Sequence, residues 1–309
     1  MRIAVMATGG VGGYFGAKLV QRGHDVSFVA RGRHLAAMRD HGLTIRSAGG
    51  DVRIARPALA EDPGALGSVD AVLFAVKLWD TESAAAAIRP LVERGAAVVP
   101  FQNGVESIER IGAVVGADAV LGGVAYIAAT IAEPGVIAHT GTMARLRFGP
   151  VVASQHGVAN ALFAACKDAG IDAELAADIH RAIWEKFAFL AAFSGMTSVA
   201  RQPLGIVRAD PDSRAVLEAA IREVWSLARA RGVGLAEAFV AQQMQFADGL
   251  PGEMRSSMQN DLMAGNRLEA PWLCGAVARM SAAAGLPAPV NATLYAMLKP
   301  YCAGTARSN

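Results

Sequence analysis

Directly after an apolar run, the chain reads "RIAVMATGGVGGYFG" and sets Gly9, Gly10, Val11 and Gly12 where a strand should pass into a helix. Backbone amides at a helix start attract anions, and glycines let a pyrophosphate approach them, so this spacing suits a dinucleotide. Laid on a G-x-G-x-x-G fingerprint, positions 7, 9 and 12 carry Ala7, Gly9 and Gly12. Only the first glycine, which eases the turn out of the strand, is replaced. An alanine there costs about 1–2 kcal/mol if the turn needs a left-handed residue and little if it does not. The bland alternative is a glycine-rich turn with no ligand.

The next apolar run, "HDVSFVA", leads into "ARGRH". A NAD-binding chain carries Asp or Glu about 20 residues after the glycines, to hold the ribose 2′-hydroxyl. Here Arg31 takes that place, followed by Arg33 and His34, with no acid before Asp40. A guanidinium can hold a 2′-phosphate that a carboxylate would repel, which favours NADP. An exposed arginine in a solvated loop is the competing explanation.

Further candidates end other runs. "VLFAVK" ends in Lys77 and "VVPFQNG" in Asn103 and Gly104. In open α/β sheets ligands bind beyond the carboxyl ends of strands, although both residues also suit ordinary strand ends facing water. "WEKFAFLAAFSGMTS" sets Lys186 in an apolar helix, where a lysine commonly snorkels to an edge. "SSMQNDLMAGNRLEAPW" carries Ser256, Ser257, Asp261 and Glu269, and a glutamate ahead of a helix is commonly a cap. The histidines and cysteines lack metal-ligand spacing, so no metal is expected.

The elements that must position these groups change character once. Up to about residue 176, short buried strands such as "RIAVMA", "DAVLFAVK" and "AAVVPFQNG" alternate with helices in a doubly wound βα pattern. "GVIAHTG" and "ARLRFGP" read as a late antiparallel pair, with "ALFAACKDAG" and "IDAEL" closing as helix and strand. Beyond that point helices follow one another, "SRAVLEAAIREVWSLARARG" being the clearest amphipathic one. The expected fold is α/β: a Rossmann-type doubly wound sheet over 1–176, then an all-helical domain over 177–309 whose polar end, "AGTARSN", should fray.

Composition narrows the function classes. The 309 residues are 53% hydrophobic but 6% aromatic, small side chains supplying much of the apolar content. The most membrane-like stretch, "AVLGGVAYIAATIA", is too short to span a bilayer, and no signal peptide is apparent. A net charge of +2 and the lack of a basic stripe argue against nucleic acid. Cys166, Cys274 and Cys302 form no C-x-x-C and read as reduced thiols, in keeping with a cytoplasmic protein.

In order and spacing, the glycine turn with "SFVARG", then "AVKLWD", "FQNGVESIE", "IWEKF" and "SSMQNDLMAGNRLE", resembles the ketopantoate reductases (2-dehydropantoate 2-reductases) over almost the whole chain. The resemblance implies NADPH-dependent reduction of a 2-oxo acid to the 2-hydroxy acid in pantothenate biosynthesis, in a cleft between a Rossmann and a helical domain. It places Arg31 on the 2′-phosphate and Lys77 and Asn103 along the cofactor and substrate cleft. Lys186 matches the catalytic lysine and proton donor, Ser257 a substrate-contacting serine, and Glu269 the glutamate that grips the substrate hydroxyl.

The chain departs from that pattern after the lysine. Ketopantoate-reducing members usually carry asparagines four and eight residues on, where this chain has Leu190 and Ser194, on the helical face of Lys186. Each polar partner lost from a hydrogen-bonding site costs about 1–3 kcal/mol, so a more apolar oxo compound than ketopantoate is an expected substrate. Gly195 is expected to loosen the helix. The alternative is an idle NADP-binding sensor: Ala7 and Leu190 lean toward it, and retention of both Lys186 and Glu269 leans against. The oligomeric state stays open, a homodimer being one option.

Overall fold

β-branched and small apolar residues leave the N-terminal runs no polar face, so they are buried on both sides and pair in parallel. The structure, a computed structural model, describes residues 1–305; the rest of the expected frayed end, 306–309, lies outside the described residues. In chain order, the first half contains β1 (Arg2–Met6), α1 (Gly10–Gln21), β2 (Asp25–Val29), α2 (Gly32–His41), β3 (Leu43–Ser47), β4 (Val52–Ile54) and β5 (Ala58–Ala60). It continues with β6 (Ala71–Phe74), α3 (Thr81–Glu93), β7 (Ala97–Pro100), α4 (Ser107–Val115), β8 (Gly122–Glu133), β9 (Val136–Gly149), α5 (His156–Asp168) and β10 (Asp172–Leu175). The helical half comprises α6 (Ile179–Ala200), α7 (Leu204–Ala209), α8 (Pro211–Ala230), α9 (Phe239–Gly249), α10 (Ser257–Met263), α11 (Cys274–Ala283) and α12 (Pro289–Leu298).

A five-stranded parallel sheet runs in the order β5-β2-β1-β6-β7, with Val5 of β1 opposite Phe28 on one side and Leu73 on the other. Strand order reverses at β1, which makes its carboxyl end a topological switch point. A second sheet, β10-β9-β3-β4, carries β8 antiparallel on β9. The late antiparallel pair is therefore not "GVIAHTG" against "ARLRFGP": both lie in the one strand β9, and the supposed membrane-like stretch supplies its partner β8. Gly141, the last residue of "GVIAHTG", has φ +76° and sits within β9 opposite a register shift, as a bulge does. Chain reversal occurs instead at Gly135, φ +80°.

The chain divides into two compact units, residues 1–102 with 106–182, and residues 103–105 with the chain from Ile183 on. The division falls inside α6 rather than at 176, and the short Asn103–Val105 segment belongs to the helical unit. In that unit Leu217, Ile221, Val224 and Leu227 of α8 share a core with Phe187, Val277 and Leu294. Ala288 cannot cap α12, so the Glu223 carboxylate does, accepting from the Val290 and Asn291 amides at 2.7 and 2.8 Å and from Asn291 Nδ2 at 2.6 Å. Gly195 does not break α6. A Cβ there would stand 3.0 Å from Leu294 Cδ1, so this glycine lets α12 approach closely. Among the described residues no helix is long and apolar enough to cross a membrane.

Candidate active site

At the carboxyl end of β1, Thr8 pins the glycine turn to the end of β2. Its amide and its Oγ1 both donate to the Val29 carbonyl, at 2.9 and 3.0 Å. Gly9 then occupies the N-cap of α1 with no side chain to satisfy the first-turn amides. Those amides, on Gly10, Val11 and Gly12, have no acceptor within the helix, and the helix dipole adds positive potential there. The glycines turn out to serve different needs. A Cβ on Gly10 would strike the Ala129 carbonyl of β8, and one on Gly12 the Ala7 carbonyl, whereas one on Gly9 would meet nothing within 4 Å. Packing demands the first two, and Gly9 leaves the approach to the amides open. Arg201 is the only non-glycine with positive φ among the described residues, so Ala7 avoids the left-handed penalty.

Arg31, the N-cap residue of α2, is 81% exposed, and one guanidinium nitrogen donates to Asp80 Oδ2 at 2.8 Å. Lys77 follows β6 and holds its ammonium 5.6 Å from the centre of the Trp79 ring. The loop that carries these residues is held from behind: Gln102 Nε2 donates to the Val76 carbonyl at 3.0 Å and to Thr81 Oγ1 at 2.9 Å. Thr8, Asp80 and Gln102 had no special standing in the sequence, since each works through a partner at least 21 residues away. Their one local signal is that each follows a strand.

In the helical unit Lys186, Asn103 and Glu269 come together from three separate stretches. Lys186 Nζ donates to Asn103 Oδ1 at 2.9 Å, and Asn103 Nδ2 donates to Glu269 Oε2 at 3.3 Å. The orientation of the amide is assigned by these two partners. Lys186 is not a lysine snorkelling to solvent. The residue is half-buried, and burial of its charge pushes the pKa down to about 8 against the upward pull of the Glu269 charge. Nor is Glu269 a cap: it precedes the short turn Ala270–Trp272 but makes no capping bond, and it is 6% exposed. A buried carboxylate and ammonium bridged by an amide can hold a proton on the lysine and aim it, as acid–base chemistry requires.

The other substrate candidates divide. Leu190 and Ser194 continue the Lys186 face along α6; Leu190 packs partly on the core, and Ser194 is fully buried with its Oγ unpartnered. Ser257 is exposed on the first turn of α10. Its neighbour Ser256 is the structural member of the pair, buried, accepting from the Gln259 amide at 3.0 Å and bonded to Thr197 Oγ1 at 2.9 Å. Asp261 accepts from Asn266 Nδ2 at 3.1 Å and so braces its own turn.

Comparison with known proteins covers nearly all of this architecture. Family models described as "Ketopantoate reductase PanE/ApbA" and its C-terminal part match residues 3–153 and 178–301. An uncharacterized oxidoreductase, YkpB, of Bacillus subtilis is 30% identical over 97% of this chain and 99% of its own. A 2-dehydropantoate 2-reductase of Halobacterium salinarum is 32% identical over 97% and 98%. The crystal structure of a 2-dehydropantoate 2-reductase from Geobacter metallireducens superposes with a TM-score of 0.90 at 30% identity, covering 97% of this chain and 99% of the other.

Proposed function

The chain belongs to the ketopantoate reductase family of oxidoreductases, and from that premise we propose that it reduces a 2-oxo acid to the 2-hydroxy acid with NADPH. In this scheme the first unit binds the cofactor, and the helical unit, residues 103–105 with the chain from Ile183 on, forms the catalytic, substrate-binding part. The observation that carries it is the hydrogen-bonded chain Lys186–Asn103–Glu269.

The residues of the first unit fit a phosphorylated dinucleotide. The open side of Gly9, the unsatisfied first-turn amides of α1 and the exposed Arg31 guanidinium are donors for phosphate, and the sequence places Arg31 rather than an acid directly after β2. Bound NADPH supplies a hydride to the carbonyl carbon. Lys186 Nζ then gives its proton to the carbonyl oxygen as negative charge gathers there, yielding the alcohol, and regains a proton from solvent. Asn103 Oδ1 fixes the direction of the ammonium, while Glu269 anchors the far end of the amide and favours the charged lysine. A pKa of about 8 leaves the group mostly protonated at neutral pH yet acidic enough to donate readily. Glu269 also grips the substrate, and Lys77 and Ser257 serve as secondary contacts to cofactor and substrate.

Leu190 and Ser194 argue for an oxo compound more apolar than ketopantoate. An apolar side chain beside the donor offers the hydroxyl of ketopantoate no hydrogen bond and rewards burial of hydrocarbon, at about 25 cal/mol per Å². The test is a screen of 2-oxo acids, ketopantoate among them, and of simple ketones, following NADPH oxidation. Turnover of a 2-oxo acid is the expected result. Tight NADPH binding with turnover of none would replace the enzyme with a cofactor sensor.

A further inference from the structure

The ion pair between Arg31 and Asp80 lies across the switch point of the sheet. Arg31 follows β2 and Asp80 follows β6, the two strands that flank β1, so the pair passes over the end of β1 from which the glycine turn rises. The two partners are unequal. Asp80 sits on a braced loop: its amide donates to the Lys77 carbonyl at 2.9 Å, Thr81 Oγ1 donates to the Leu78 carbonyl at 2.9 Å, and Gln102 holds Thr81. Arg31 is a long side chain on the surface, 81% exposed against 29% for Asp80. Asp80 also occupies the N-cap position of α3 without making the capping bond an aspartate there normally makes, because its carboxylate faces Arg31 instead. It is a carboxylate on a braced loop aimed at an exposed guanidinium.

We propose that Asp80 is a specificity-determining residue that lowers the preference for NADPH over NADH by competing with the 2′-phosphate for Arg31. The inference rests on Arg31 being the phosphate-binding residue. A 2′-phosphate that takes Arg31 must either displace Asp80 from the guanidinium or share that guanidinium with a carboxylate of like charge. A 2′-hydroxyl does neither and leaves the pair intact. The carboxylate therefore penalises one cofactor only. Because an exposed ion pair is weak, the penalty is modest and NADPH can still win.

The experiment measures Kd for NADPH and NADH, by titration calorimetry on the full chain, for the unmodified protein and the Arg31→Ala and Asp80→Asn variants. Asn keeps the shape of Asp80 and removes its charge. Asp80→Asn is expected to tighten NADPH about three- to tenfold while NADH stays within about twofold, the NADH value also serving as the control for folding. An unchanged ratio of the two affinities overturns the proposal. So does weaker NADPH binding, which would make Asp80 a residue that aligns Arg31 for phosphate. Arg31→Ala separates this from failure of the underlying assignment: if that variant loses no preference for NADPH, Arg31 does not hold the phosphate and the role of Asp80 falls with it.

Discussion

Burial and the charge of Glu269 act on Lys186 in opposite directions, and their balance at about 8 fixes the pH at which the proposed donor fails. Only the ammonium can give a proton, so kcat for carbonyl reduction should be level at neutral pH and fall about tenfold per unit above about pH 8. Glu269→Gln removes the charge that favours the ammonium, and the falling limb should move to lower pH while KM rises through lost substrate contact. A pH–rate profile of that variant with an unmoved limb would uncouple the two residues. Lys186→Ala should reduce kcat by about 10²–10⁴-fold with NADPH affinity unchanged. A single-turnover rate within about threefold of the parent, far inside that range, would remove Lys186 from the chemistry.

Along α6 the residues that follow Lys186 at helical spacing decide what can lie beside it. Leu190→Asn with Ser194→Asn should raise kcat/KM for ketopantoate relative to more apolar oxo acids, read by competition between the two substrates. Efficient ketopantoate turnover by the unmodified chain would show that position 190 does not select. A different element depends on a single carboxylate. Glu223 of α8 satisfies the first amides of α12, so Glu223→Ala should leave buried donors unpaired and cost about 1–3 kcal/mol in urea unfolding. Glu218→Ala on the same helix is the control, since its i,i+4 pair with Arg222 is exposed and worth little.

For the molecule as a whole, ligand binding to the native state alone raises stability by mass action, about 2.7 kcal/mol at a hundredfold excess over Kd. NADPH at fixed concentration should therefore raise the Tm of the full chain more than NADH does, and Arg31→Ala should abolish the difference. Equal shifts in the unmodified protein would remove the preference for NADPH. Cys166 and Cys274, buried and pushed up to about 12, stay thiols across the pH range of these measurements and should not react with mild alkylating agents in the folded state.

Much of this architecture was already legible in local patterns. Apolar runs bounded by turn residues gave the parallel strands, helical periodicity gave the all-helical half, and Gly9 and Gly12 after a strand marked the first βα turn. Such features depend on neighbours a few residues apart, which is the range over which backbone preference acts. The expected pairing of "GVIAHTG" with "ARLRFGP" failed because Gly141, with positive φ, serves a bulge inside one strand, and only the pairing of β8 with β9 reveals it. The meeting of Lys186 with Asn103 and Glu269, 83 and 166 residues apart along its two links, was decided by packing alone. So were the turning of Glu269 away from its cap and the reach of Arg31 to Asp80. Sequence set which groups were present and on which elements; the tertiary fold set their partners, because burial, charge and hydrogen bonding act through space rather than along the chain.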